Sequence, residues 1–161
     1  MDYRKSFRDL LKLHVTPFMK ERGYEHKGQM YRRYAGEVVQ LFVFQSWHGN
    51  SADSYWFTAN IQLRKQTPYN TSDIGRRDWY EDDVASHLLT ERFGMLSRGR
   101  DYWYKMEQVS EQELAAALLS DLENSLIPFF DYCKTTDTIL PLKGSSAEAL
   151  HRFVLGLPRD S

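Results

Sequence analysis

One cysteine, Cys133, stands in the whole sequence, so no internal disulfide can form. A lone thiol fits a reducing compartment, and a cytoplasmic setting is expected. Long hydrophobic runs are missing too. The longest apolar stretches, such as Leu41 to Phe44, fall far short of a bilayer span, so no membrane is expected among the partners. Met1-Asp2-Tyr3-Arg4-Lys5 leads into more charged residues and not an apolar segment, so no secretory signal is expected. The histidines, His14, His26, His48, His87 and His151, are scattered, without His-Glu-x-x-His spacing. Neither a metal nor any other cofactor is implied. Gly94 and Gly99 lie near turns, without the strand-to-helix glycine run that cradles a nucleotide phosphate. An excess of one charge is absent as well: 21 basic against 22 acidic residues argue against a broad nucleic-acid surface.

What is present is a globular composition. Hydrophobic residues make up 42% and charged residues 27% of 161, which suits one domain with a real core. Aromatics reach 14%, enough to line a groove or a half-exposed sheet as well as a core. Locally the charge is uneven. Residues 1–34 hold nine Lys or Arg against four Asp or Glu, whereas 107–131 hold six acids and no base. Two solvated faces explain this most simply, with partner docking as the alternative.

The pattern predicts an α+β domain: an N-terminal helix, a mainly antiparallel sheet of about five strands and a long C-terminal helix packed on it. Phe7, Leu10, Leu11, Val15, Phe18 and Met19 form the stripe of a helix from Asp2 to Arg22, with Pro17 as a kink or break. Tyr24 to Tyr34 reads as a strand bent near Gly28, and Val38 to Trp47 as a central strand apolar on both faces. Tyr55 to Arg64 alternates, with Tyr55, Phe57, Ala59, Ile61 and Leu63 on a packed face and Trp56, Thr58, Asn60, Gln62 and Arg64 on a wet one. Lys65 to Arg77 reads as a loop and Asp78 to Thr90 as a short helix; strands are expected over Arg92 to Leu96 and Tyr102 to Met106. Ser110 and Glu113 form a capping box ahead of Leu114, Leu118, Leu122 and Leu126, with Pro128 as a second kink. A short last helix carries Ala149, Leu150, Phe153 and Val154 to a stop at Gly156 and Pro158. No repeat or linker divides the chain, so residues 1–161 are expected to form a single domain.

Phe7, Leu11, Phe18, Gly23-Tyr24, Tyr31, Phe44-Gln45 and Phe57-Thr58-Ala59-Asn60-Ile61 follow one another in a distinctive order. Arg92-Phe93-Gly94, Trp103-Tyr104 and Pro128-Phe129-Phe130 continue it. The series resembles a bacterial family known as domain of unknown function 4304, over roughly residues 3–135, with 136–161 as an extension. Gln62 stands where that pattern leads one to expect a glycine near the strand's end. The resemblance implies a fold; it implies neither catalytic residues nor a cofactor.

Three functions compete. A non-catalytic binding or accessory protein would use the aromatic-polar sheet face for a protein partner or small ligand, with Gln45, Trp47, Trp56, Asn60, Gln62 and Trp103 as its contact residues. A tryptophan on a polar face is the anomaly that points there. A small hydrolase-like enzyme with a loop-lined pocket would enlist His48, Asp53 and Gln45 or the acids Glu81, Asp82 and Asp83. Cys133 lies near a helix C-terminus in register with Phe129, the wrong place for a thiolate nucleophile. RNA or single-stranded DNA binding would draw on Tyr31-Arg32-Arg33-Tyr34, Arg76, Arg77, Arg98 and Arg100. In a strand Arg32 and Arg33 point to opposite faces, and the acidic late helix opposes such a ligand. The binding-protein reading is preferred, and nucleic acid is the least expected partner.

Overall fold

A computed structural model describes residues 2–71 and 86–159. The N-terminal stripe forms α1 (Tyr3–Leu10), a π-helical turn (Leu11–Val15) and α2 (Thr16–Glu21). Asp2 caps the start by accepting from the Arg4 amide, and Gly23 follows the end at φ +88°. Five strands come next in order across the sheet: β1 (Glu25–Lys27), β2 (Met30–Ala35), β3 (Val38–Ser46), β4 (Trp56–Lys65) and β5 (His87–Arg92). All neighbours run antiparallel. A short β6 (Tyr104–Lys105) also pairs β4, at Trp56 and Phe57, beyond the reach of β5. A single turn, α3 (Pro68–Thr71), follows β4, and α4 (Phe93–Ser97) follows β5. The C-terminal helices are α5 (Glu111–Asp121), a second π-helical turn (Leu122–Leu126), α6 (Ile127–Tyr132), α7 (Thr136–Ile139) and α8 (Ala147–Leu155).

The helices cover one face of the sheet. Phe7, Val15 and Met19 meet Phe42, Phe44, Phe57 and Ile61 of the strands and Leu118, Leu122, Leu126, Phe129 and Phe130 from the late helices in one buried cluster. A smaller cluster, Met30, Val39 and Leu41 with Tyr34 and Val43 against it, lies on the outer face of β2 and β3. β3 is therefore covered on both sides, as its double apolar pattern indicates.

Four local expectations change. Tyr24 to Tyr34 is a hairpin of two strands and not one bent strand, because Gly28 at φ +60° supplies the turn. The helix expected over Asp78 to Thr90 is replaced from His87 by β5; its portion before residue 86 lies outside the described residues. A short apolar run such as Leu88-Leu89 suits either structure, and pairing of Leu89 with Leu63 decides for strand. Arg92 to Leu96, expected as strand, becomes α4, which places Phe93 and Leu96 together in the core one turn apart. Gly94 makes this possible: a Cβ there would lie 2.5 Å from the Arg100 carbonyl oxygen and 2.6 Å from the Tyr102 nitrogen. Finally, Ser110 accepts from the Glu113 amide at 3.2 Å, one half of the expected capping box. A complete box forms instead at Thr135 and Thr138.

Candidate functional site

β4 presents Trp56, Thr58, Asn60, Gln62 and Arg64 away from the helices. That face is not uniformly wet. Thr58 is buried, its hydroxyl donating to the Tyr102 carbonyl at 2.8 Å, while the other four are half-buried. Two clusters flank Thr58.

The first is built around Trp56. Asn50, in the β3–β4 loop, accepts from the Trp56 backbone amide and donates to its carbonyl, both at 2.8 Å. The Trp47 amide donates to the same carbonyl at 2.9 Å, and the two indoles stack with centroids 5.0 Å apart and planes 25° apart. Lys105 on β6 sets its ammonium 4.2 Å from the Trp56 ring centroid, a cation–π contact. The indole N–H donates to Glu107, which also accepts from Ser54 Oγ at 3.0 Å and the Tyr55 amide at 3.1 Å. Desolvation pushes the Glu107 carboxyl up, but these donors outweigh it and hold its pKa below the usual carboxylate value. Glycine at 49 gives the Trp47 ring its place, since a Cβ there would fall 2.6 Å from the indole.

The second cluster runs across β3, β4 and β5. Gln45 Oε1 accepts from Asn60 Nδ2 at 2.9 Å and from Arg92 Nη1 at 3.3 Å. The Arg92 guanidinium lies 5.4 Å over the Trp103 ring. Gln62, the next outward residue of β4, accepts from Arg64 at 2.8 Å. Beside the first cluster, Trp56, Tyr102, Trp103 and Lys105 line a groove of about 410 Å³ together with Glu113 and Ala117 of α5.

Thus Gln45, Asn60 and Trp103 meet through Arg92, and Trp47 meets Trp56. Gln62 pairs with Arg64 and not with a member of either cluster. Sequence reasoning missed Asn50, Arg92, Lys105 and Glu107. Their roles depend on β6 returning to β4 some 50 residues later in the chain and on a loop folding back on its own strand. No local spacing signals either event.

The other candidates fare differently. His48 and Asp53 are both exposed and share no hydrogen bond or ion pair. Cys133 is buried at the end of α6, and burial alone pushes its thiol up to about 12. Arg32 and Arg33 do face opposite sides. Arg32 is buried against Glu25 at 2.9 Å and Arg33 pairs with Asp131 at 3.0 Å, so each guanidinium is already matched by a carboxylate. Tyr31 is buried, and its hydroxyl shares a hydrogen bond with Thr16. Arg98 pairs with Asp121 at 2.8 Å; Arg100 is exposed. Arg76, Arg77, Glu81, Asp82 and Asp83 lie outside the described residues. Among the described residues no three His, Cys, Asp or Glu side chains gather as a metal site. No described helix is long and apolar enough to cross a membrane.

No curated protein and no solved structure matches the chain. One family does: the profile described as a domain of unknown function, DUF4304, matches residues 15–132, and the chain belongs to that family.

Proposed function

We propose that the chain is a non-catalytic binding protein that takes an extended polypeptide segment of a protein partner along the outer face of β4, in the cytoplasm. Trp56 and Trp103 are its anchors, and Gln45 and Asn60 read the peptide backbone. The observation that carries this is the bracing of the two indoles. Trp56 is held by Trp47, Lys105 and Glu107, and Trp103 is held by Arg92. Rings fixed in advance lose little entropy on binding, and half-buried tryptophans dominate interface energetics. The amide pair adds polarity of the right kind. Gln45 Oε1 and Asn60 Nδ2 are used on each other, leaving one amide donor and one amide acceptor, the complement of a peptide unit. The cytoplasmic placement is supported by the single reduced cysteine.

Selection of peptides from a displayed random library on the purified chain tests the reading. Enriched peptides are expected to bind at least about tenfold more weakly to Trp103→Ala, the loss typical of one interface anchor. Failure to enrich any peptide, or equal binding by folded Trp103→Ala and Gln45→Ala variants, would overturn it.

A further inference from the structure

On the helical side of the sheet, Arg22, Arg33 and Arg159 line a cavity of about 400 Å³, together with Asn124, Pro128 and Asp131. Each guanidinium is fixed by groups other than a ligand. Arg22 lies 3.5 Å over the Phe18 ring and donates Nη1 to the Phe18 carbonyl at 2.9 Å. Arg33 donates to Gln40 and to Asp131, each at 3.0 Å, and stacks 4.7 Å over Tyr24. Arg159 donates Nη1 to the Leu157 and Val154 carbonyls at 2.7 and 3.1 Å.

The charges do not balance. Asp131 neutralises Arg33, but the anchors of Arg22 and Arg159 are neutral carbonyls. Arg22 also forms an ion pair with its neighbour Glu21 at 3.8 Å, but that carboxylate is 78% exposed. Glu123 also lines the cavity, as an exposed side chain whose charge water screens. Among the described residues, the carboxylates that could offset Arg22 and Arg159, Glu21 and Glu123, are thus solvent-exposed, and the three guanidiniums lining the seam outnumber its two carboxylates, Glu123 and Asp131. Guanidinium forks match tetrahedral oxyanions, and a dianion balances two of them where a carboxylate balances one. We infer that this cavity binds a phosphate monoester, held between Arg22 and Arg159 with Arg33 behind them. Arg22 and Arg33 fall inside the family match, whereas Arg159 lies beyond residue 132. The site is therefore completed by a segment outside the family's matched region.

Titration calorimetry of the full chain tests this, with inorganic phosphate and phenyl phosphate as probes and sodium acetate at equal ionic strength as the control. Saturable binding of both phosphates is expected, with phenyl phosphate tightening as pH rises from about 5.5 to 7.5, because a phosphate monoester loses its second proton at about 6. Arg159→Gln, an exposed change that leaves the core untouched, is expected to weaken it about tenfold, as is Arg22→Gln. Lys12→Gln, in the π-helical turn after α1, is expected to leave it unchanged. Absence of saturable binding, equal affinity for acetate, or indifference to Arg159→Gln would each overturn the inference. Should Arg22→Gln unfold, Arg159→Gln decides alone.

Discussion

Gln40 shows how a polar residue can occupy the middle of a core. It sits on β3 with no exposed surface, on the face that carries Phe42 and Phe44. A buried amide is costly unless both hydrogens and both acceptor positions are used. Here they are. Nε2 donates to the Phe130 and Cys133 carbonyls, the latter at 3.2 Å, and Oε1 accepts from Arg33 Nε at 3.0 Å and the Tyr24 hydroxyl at 3.4 Å. The carbonyls at the end of α6 thereby find donors they lack within the helix. Gln40→Leu keeps the volume but strands four partners, and is expected to lower stability by about 3 kcal/mol or more. Urea denaturation should show a reduced midpoint at unchanged slope. Two glycines provide a contrast at the same scale. Gly94→Ala would drive a methyl into backbone atoms of Arg100 and Tyr102, whereas Gly28→Ala meets open space and only the strain of φ +60°. The first is expected to cost well over about 2 kcal/mol and the second about 1. Equal denaturation midpoints for the two variants would contradict this.

Proline interrupts a helix in the same way twice in this chain. Thr16 donates its amide to the Leu11 carbonyl and Ile127 donates to Leu122, five residues back in each case. Pro17 and Pro128 follow directly. A proline ring collides with the carbonyl four residues earlier, and a π-helical turn opens the backbone there by one residue. The prolines were legible in the sequence as interruptions; the form of the interruption was not, because it depends on keeping Val15 and Met19, or Leu126 and Phe129, buried on the far side. Likewise the alternation of β4 gave its packed face, since period two is a local property. Thr58's burial and the bracing of Trp56 were not readable, because Tyr102, Lys105 and Glu107 reach them through long-range pairing. His87 to Leu96 was misread for the same reason: the run is too short for periodicity to outweigh the β4 edge and the close approach at Gly94. Asn50 offers an element-scale test. Its side chain bonds both backbone groups of Trp56, so Asn50→Ala is expected to destabilise the fold by about 1–3 kcal/mol. Hydrogen exchange at the Trp56 amide should accelerate while Leu63, paired with β5, stays protected.

At the scale of the whole molecule, buried acids and phenols set the limits of pH. Burial raises the Cys133 thiol from its ordinary 9.0 to about 12, and raises the Tyr24 and Tyr31 phenols above 10.0. Burial, and then the neighbouring Asp121 carboxylate, raises Tyr104 well above the same value. In each case the folded chain keeps a proton that the unfolded chain has lost. The stabilisation is fully present below the unfolded values and declines as pH rises through them toward the folded ones, by about 1.4 kcal/mol per pH unit for each group. Glu107 acts in the opposite direction: its pKa is lowered, so its contribution holds above the ordinary carboxylate value and is lost as pH falls through the folded one. Stability should therefore fall on both flanks, and the alkaline flank can be resolved by group. Between about pH 9 and 10 the thiol titrates in the unfolded chain while the phenols do not yet do so. Cys133→Ala loses core packing and is expected to be less stable at pH 7, by about 1 kcal/mol. It should nevertheless flatten the slope of stability against pH in that interval, leaving the steeper fall above pH 10 intact. Urea midpoints measured at half-unit steps from pH 7 to 11 separate the two effects. A variant curve running parallel to the parent's from pH 9 to 10 would show that the thiol does not set that flank.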